Sequence, residues 1–347
     1  MTLTNFNFDL PGDLIGQKAI EPRDSCRLLV VNRQNQSLTH NIFRDLPDIL
    51  DEKCVLVLND TKVFPARLYG TKVTGGKIEV LLLKQLSLNS FTCILRGKTK
   101  DSQKLIFSDN LSATVLGGEI KFSLSGTELL SALDALGKTP LPPYIHSTES
   151  EEKLREQYQT VYAREKGSAA APTAGLHFTE SLLSKLAEKG VQVEKITLHV
   201  GLGTFKPVTE EQIASKTLHS ESFWLSAETA QRLNQAKKAD KKIIAVGTTT
   251  CRVLESQARE TGKLTAGEGE TNLFIQSGFH FNFVDGLITN FHLPGTSLLM
   301  LVSAFVSAPN SPITFKIFKD SLVGRAYAEA IKNKYKFFSF GDAMMII

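Results

Sequence analysis

His177 closes a run of small residues, Gly167-Ser-Ala-Ala-Ala-Pro-Thr-Ala-Gly-Leu-His-Phe178, and His199 stands inside a second unusual segment, Thr197-Leu-His-Val-Gly-Leu-Gly-Thr-Phe205. The alanines, glycines and proline before Leu176 leave backbone amides uncovered, as a chain must where it comes close to a ligand. Either histidine alone would more often be a satisfied core residue. Paired with bare backbone and hydroxyls on both sides of a helix, they point to general acid and base chemistry. Thr173, Gly175, Gly201, Gly203 and Thr204 are the candidate ligand contacts of these two segments, which are expected to converge.

Three further places end an apolar run in polar groups. The continuous run Val55-Leu-Val-Leu58 stops at Asn59-Asp60-Thr61, a natural ligand-contact position after a strand buried on both faces. Ile243-Ile-Ala-Val-Gly247 leads into Thr248, Thr249 and Thr250 and then a helix, presenting amides and hydroxyls to an anion. Leu287-Ile-Thr-Asn-Phe291, which contains Asn290, ends in His292-Leu-Pro294. Arg67, Arg252, Glu221 and Asp342 are the possible ion partners of such a pocket.

Other chemistries lack their signatures. The histidines are far apart with no HExxH, and His219-Ser-Glu221 is not followed by PCxxC, so no metal is expected. There is no GxSxG elbow, no GxGxxG after a strand and no Walker A lysine.

The elements that must position these groups follow from periodicity. Thr179 is an N-cap, Leu182, Leu183 and Leu186 share one helical face and Gly190 is a left-handed stop, which predicts a helix over 179–189. Ile196, Leu198 and Val200 alternate with Thr197, His199 and Gly201, so a strand follows and its end carries the glycine turns. Ser226 caps another helix with Ala230, Leu233 and Ala236 inward. Between residues 63 and 136 the texture changes to short alternating strands, with Gly75-Gly76 and Gly117-Gly118 as hairpin turns. That predicts an all-β insert, a small antiparallel barrel over 63–136, within an α/β domain of residues 1–62 and 137–347. Arg96, Lys98, Lys100 and Lys104 make its third strand and following loop basic, and Pro140-Leu-Pro-Pro143-Tyr144 is a stiff return.

With 347 residues, 42% hydrophobic and 22% charged, the chain reads as an ordinary globular protein of two domains. Its longest apolar run is far shorter than a membrane span and no secretory signal is visible, so no membrane partner and a cytoplasmic location are expected. Four scattered cysteines suggest reduced, structural thiols. The net charge of +4 permits a polyanionic partner without requiring one.

Five segments resemble one family: Asn59-Asp-Thr-Lys-Val-Phe-Pro-Ala-Arg67, Pro172-Thr-Ala-Gly-Leu-His-Phe178, Thr197-Leu-His-Val-Gly-Leu-Gly-Thr-Phe205, Thr289-Asn-Phe-His-Leu-Pro294 and Phe338-Ser-Phe-Gly-Asp-Ala-Met344. They look like the S-adenosylmethionine:tRNA ribosyltransferase-isomerases of queuosine biosynthesis, over essentially the whole chain. The resemblance implies an α/β barrel-like domain with an inserted all-β domain. It also implies transfer of the ribosyl part of S-adenosylmethionine, as co-substrate, to 7-aminomethyl-7-deazaguanine at the tRNA wobble position, giving epoxyqueuosine with release of adenine and methionine. His177, His199 and His292 are then candidates for proton transfer, with Glu221 and Asp342 for stabilising positive charge. Arg67, Arg252 and residues 248–250 would meet the methionine carboxylate or an RNA phosphate. The chain departs from the family pattern at Lys216 and Leu218, where a histidine and a methionine are usual, and at Cys26, where serine is usual. The competing expectation is an RNA-binding protein without chemistry, using the basic insert on phosphates.

Overall fold

The computed structural model describes residues 3–201 and 208–347. Its strands, in chain order, begin with β1 (Arg27–Val31), β2 (Leu38–Ile42), β3 (Cys54–Asn59) and β4 (Thr61–Val63). The insert supplies β5 (Arg67–Lys72), β6 (Lys77–Ser87), β7 (Ser90–Arg96), β8 (Gln103–Ser108), β9 (Leu111–Leu116) and β10 (Glu119–Phe122). After it come β11 (Glu165–Ser168), β12 (Gln192–Leu198), β13 (Thr217–Leu225), β14 (Lys242–Val246), β15 (Gly267–Leu273), β16 (Gly286–Asn290) and β17 (Ala343–Ile346).

Among the described residues, a nine-stranded mixed sheet runs in the order β15-β13-β12-β3-β14-β16-β17-β1-β2. Its centre, β12-β3-β14-β16, is parallel throughout. The continuous apolar runs have a simple cause. Val55 and Val57 enter one core and Cys54, Leu56 and Leu58 the other; Ile243 and Ala245 divide in the same way from Ile244 and Val246. Strands covered on both faces cannot afford polar alternation. The helices Ala227–Lys238, Thr248–Ala258, Ser297–Phe305 and Leu322–Lys332 cover one face, and Glu180–Glu188 the other.

Local signals operate as their chemistry requires. Thr179 Oγ1 accepts from Leu182 N at 3.1 Å, and Ser226 Oγ from Thr229 N at 3.0 Å, so both helices start at capped residues. Gly190 follows the first of them with φ +81°.

The insert forms a closed barrel in the order β10-β7-β6-β5-β8-β9. Gly117 and Gly118, both at positive φ, make the two-residue turn between β9 and β10. An addition to the all-β expectation is the helix Gly126–Leu136, whose Leu129 and Leu133 pack into the barrel core. Arg67 and Lys138 exchange both backbone hydrogen bonds, at 3.1 and 2.7 Å, so the chain enters and leaves the barrel side by side. No helix of the described residues is long and apolar enough to cross a membrane.

Candidate active site at the carboxyl rim of the sheet

The four parallel strands at the centre of the sheet end in the polar groups that the sequence singled out. β3 runs into Asp60 and Thr61, β12 into His199, β14 into Gly247 and Thr248, and β16 ends at Asn290 before His292. Ligands of open α/β sheets bind at this edge, because helix amino termini and loops gather there.

A cavity of about 260 Å³ lies over the β14 and β16 part of the rim. Its polar lining includes Thr173, Thr248, Thr249, Thr289, Asn290 and His292. Tyr144 and Phe338 form an aromatic wall, their ring centroids 4.7 Å apart. Among the described lining residues none carries a Lys, Arg, Asp or Glu side chain. Thr248 opens the helix Thr248–Ala258 behind Gly247, whose φ is +90° and which has no side chain to cap the first amides. That leaves N–H groups and the positive end of the helix for an anionic group of a ligand.

His292 lines this cavity. Its Nε2 lies 2.9 Å from Thr289 Oγ1, and its backbone N–H donates to the Tyr327 hydroxyl at 2.8 Å. Burial pushes its pKa down to about 3, so the ring is neutral at physiological pH.

His177 lies beneath the cavity rather than in it. The proton positions follow by counting. Asn290 Nδ2 has two N–H bonds; one donates to the Phe338 carbonyl at 3.1 Å and the other points to His177 Nε2 at 3.0 Å. His177 Nε2 must therefore accept, and the ring proton sits on Nδ1, 3.1 Å from Cys26 Sγ. Asn290 Oδ1 in turn accepts from Thr173 Oγ1 at 3.1 Å. Both ring nitrogens are engaged, and burial pushes the His177 pKa down to about 4.

The two glycine-rich segments do meet, Val200 N–H donating to Ser168 Oγ at 3.0 Å and both segments lining the rim cavity, but the His199 ring does not join the other two histidines. His199 stands at the end of β12, three strand positions from β16, a separation of roughly 14 Å at the usual strand spacing. Its Nδ1 lies 2.8 Å from Thr61 Oγ1, and its ring covers Gly167 so closely that a Cβ there would come within 2.7 Å of Cε1. Burial lowers its pKa.

The remaining candidates divide in the same way. Asp342 does not face the cavity: its carboxylate accepts from the backbone N–H of Arg27 (2.8 Å) and Lys336 (2.7 Å) and pairs with the Arg27 guanidinium. Glu221 and Arg252 form a buried ion pair, and Glu221 Oε1 also accepts from Gly201 N at 3.3 Å. Asn59 ties β3 to β12 through both atoms of its amide, and Asp60 accepts from Thr197 Oγ1 at 2.6 Å, with burial raising its pKa. Gly175 is small because the Tyr162 hydroxyl occupies the place of a Cβ, so close packing rather than a ligand explains it. Arg67 and Gly201 line a second, neighbouring cavity. Gly203 and Thr204 lie outside the described residues. Sequence reasoning missed Tyr144, Thr289, Phe338 and Ser339 as cavity residues, although each sits in or beside a segment already singled out.

The two depressed imidazoles give a stability prediction. An unfolded chain takes up protons on these rings near pH 6.5, whereas the folded one does so only near pH 4 and 3. Stability is therefore present in full above pH 6.5 and falls as pH is lowered. Calorimetric unfolding at pH 7 and pH 5 should show a lower midpoint at pH 5. The slope should be shallower in His292→Asn by about one proton. An equal slope in the variant would remove the ring from the account.

A family model described as queuosine biosynthesis protein matches residues 3–346. The chain is 47% identical to the S-adenosylmethionine:tRNA ribosyltransferase-isomerase of Symbiobacterium thermophilum and 45% identical to that of Clostridioides difficile, with the full length of both chains covered in each case. It is also similar to a crystal structure of S-adenosylmethionine tRNA ribosyltransferase from Thermotoga maritima, with a TM-score of 0.56 and 36% identity over 99% of this chain and 100% of that one.

Proposed function

The chain belongs to the queuosine biosynthesis protein family, and on that premise we propose that it is an S-adenosylmethionine:tRNA ribosyltransferase-isomerase. Its substrates are S-adenosylmethionine and tRNA carrying 7-aminomethyl-7-deazaguanine at the wobble position, and the cytoplasm is where it meets them. The product is epoxyqueuosine, released with adenine and methionine. We divide the chain into a catalytic part, residues 1–62 and 137–347, and an insert, residues 63–136; the side-by-side exchange at Arg67 and Lys138 supports that boundary.

The observation that carries this reading is the rim cavity itself, lined both by a neutral imidazole and by the start of a helix that has no side-chain cap. The reaction begins when a proton leaves the carbon beside the sulfonium, whose charge makes that carbon acidic. A neutral ring can accept such a proton and an imidazolium cannot; burial keeps His292 neutral but also weakens it as a base, so what the ring supplies is its place in the cavity. The amides and hydroxyls of Thr248 and Thr249 suit the methionine carboxylate. Tyr144 and Phe338 offer π faces to the sulfonium or to adenine. His177, with no nitrogen to spare, fixes the Asn290 amide and acts through it as a positioning residue. A protein that only held RNA would have no use for an uncharged cavity of this kind.

The test is direct. The purified protein, given S-adenosylmethionine and tRNA bearing the deazaguanine, should release adenine in step with nucleoside formation, as read by chromatography. Folded, saturated protein that releases none would favour the RNA-binding alternative.

A further inference from the structure

The rim cavity abuts a second one, of about 170 Å³, on the barrel side. Pro143 lines both; Ala171 and Val200 line the first, while their neighbours Ala170 and Gly201 line the second. Their chemistry is opposite. The first has no charged side chain among its described lining residues, and the second is walled by Arg67, Glu79 and Arg96 of the barrel.

These three come from adjacent strands and share a face. Glu79 on β6 lies directly opposite Arg96 on β7 and diagonally across from Arg67 on β5. The Arg67 guanidinium is fixed, bonded to Glu79 Oε1 and, at 2.7 Å, to the Leu141 carbonyl. Glu79 Oε2 is 3.8 Å from Arg96 Nη1, beyond hydrogen-bond length, so this oxygen retains capacity to accept. Arg96 is loosely held, with 59% of its side chain exposed. Beyond it the exposed Lys98, Lys100 and Lys104 continue the positive charge along the outside of the barrel.

Resting on the family reading above, we infer that the second cavity receives the wobble base of the tRNA, turned out of the anticodon loop, while the rim cavity holds S-adenosylmethionine. The reaction joins two substrates and therefore needs two abutting sites. One substrate is small; the other is a base at the end of a polyanion. A guanine-type base presents adjacent N–H donors at N1 and N2 beside an acceptor at O6. A carboxylate held next to a guanidinium is the complement of that edge, and an uncharged cavity is not. Glu79 reads the donor pair, Arg67 meets O6, and Arg96 with the lysines beyond it meets the flanking phosphates.

Glu79→Gln and Arg96→Ala test the assignment against two binding measurements that need no turnover. S-adenosylmethionine affinity, by calorimetry without tRNA, should stay within about twofold of wild type in both variants, because neither residue lines the rim cavity. Affinity for tRNA should fall about tenfold or more in Glu79→Gln. Wild-type protein should prefer tRNA with guanosine at the wobble position over the same tRNA with inosine, which lacks the N2 donors, and Glu79→Gln should lose that preference. Arg96→Ala should weaken both tRNAs equally and lower the salt slope by about one. An unchanged guanosine preference in Glu79→Gln, or equal loss of S-adenosylmethionine and tRNA affinity, would overturn the assignment. Wild-type protein that binds both substrates but releases no adenine would instead defeat the enzymatic reading while leaving the guanosine preference as a separate test.

Discussion

Replacing His292 by alanine is expected to lower the rate of adenine release by about 10²- to 10³-fold, the usual worth of a positioned acid or base. The effect should fall on kcat, with the KM for S-adenosylmethionine changed far less, because the ring contributes one face of a cavity whose other contacts remain. Among the three candidate histidines His292 alone lines the rim cavity. His177 spends both nitrogens on Cys26 and Asn290, and His199 is turned toward Thr61 at the far side of the rim. With its pKa near 3, the His292 ring does not titrate between pH 5 and pH 8, so it adds no acid limb to the rate profile in that range. His292→Ala turnover within threefold of wild type, on protein that still binds S-adenosylmethionine, would move the proton acceptor elsewhere.

Arg252→Ala is the substitution expected to cost the most stability, about 3–5 kcal/mol, because it removes one member of an ion pair where little water reaches it. Both side chains are nearly inaccessible, at 6% and 3% exposure. Arg252 also donates through Nε to the Leu273 carbonyl at 2.9 Å, so the guanidinium joins β13, β15 and the helix Thr248–Ala258. A lowering of the unfolding midpoint by about 4–7 °C follows from that free energy in a chain of this size. The cause can be separated from lost packing. Removing both charges at once, as Glu221→Leu with Arg252→Met, should recover much of the loss, since an apolar pair leaves no half-broken ion pair. If the single variant melts within a degree or two of wild type, or the double variant melts lower still, the broken ion pair is not what destabilises it.

How far the sequence could be read depends on which forces left a local trace. Capped helices and alternating strands did so: Thr179, Ser226 and the glycine pair 117–118 act within a few residues of themselves, and each stands at the boundary that periodicity predicts. The barrel is legible for the same reason, whereas the helix Gly126–Leu136 is hidden by the β texture around it. The rim was legible as well, since a buried strand that stops at a polar group is visible in one dimension. What could not be read was the spacing across the sheet. The order β12-β3-β14-β16 is set by long-range pairing, and it separates His199 from His292 although both follow strands of similar pattern. Nor does a motif state which of its side chains turns inward. Asp342 and Asn59 lie within segments that carry the family resemblance, yet their polar atoms are consumed in holding strands together. Glu79, conversely, looks like an ordinary strand carboxylate until Arg67 and Arg96 are seen beside it.

The antiparallel exchange between Arg67 and Lys138 bears on how such a chain reaches its native state. An excursion of this length would ordinarily burden the sheet with the entropy of bringing distant residues together, although that burden grows only slowly with loop size. Here the barrel's apolar interior is drawn almost wholly from the insert itself, with Ala169 packed in from beyond it, and the barrel delivers both of its ends to one spot. To the strands that assemble the rim, the excursion then behaves as a short turn.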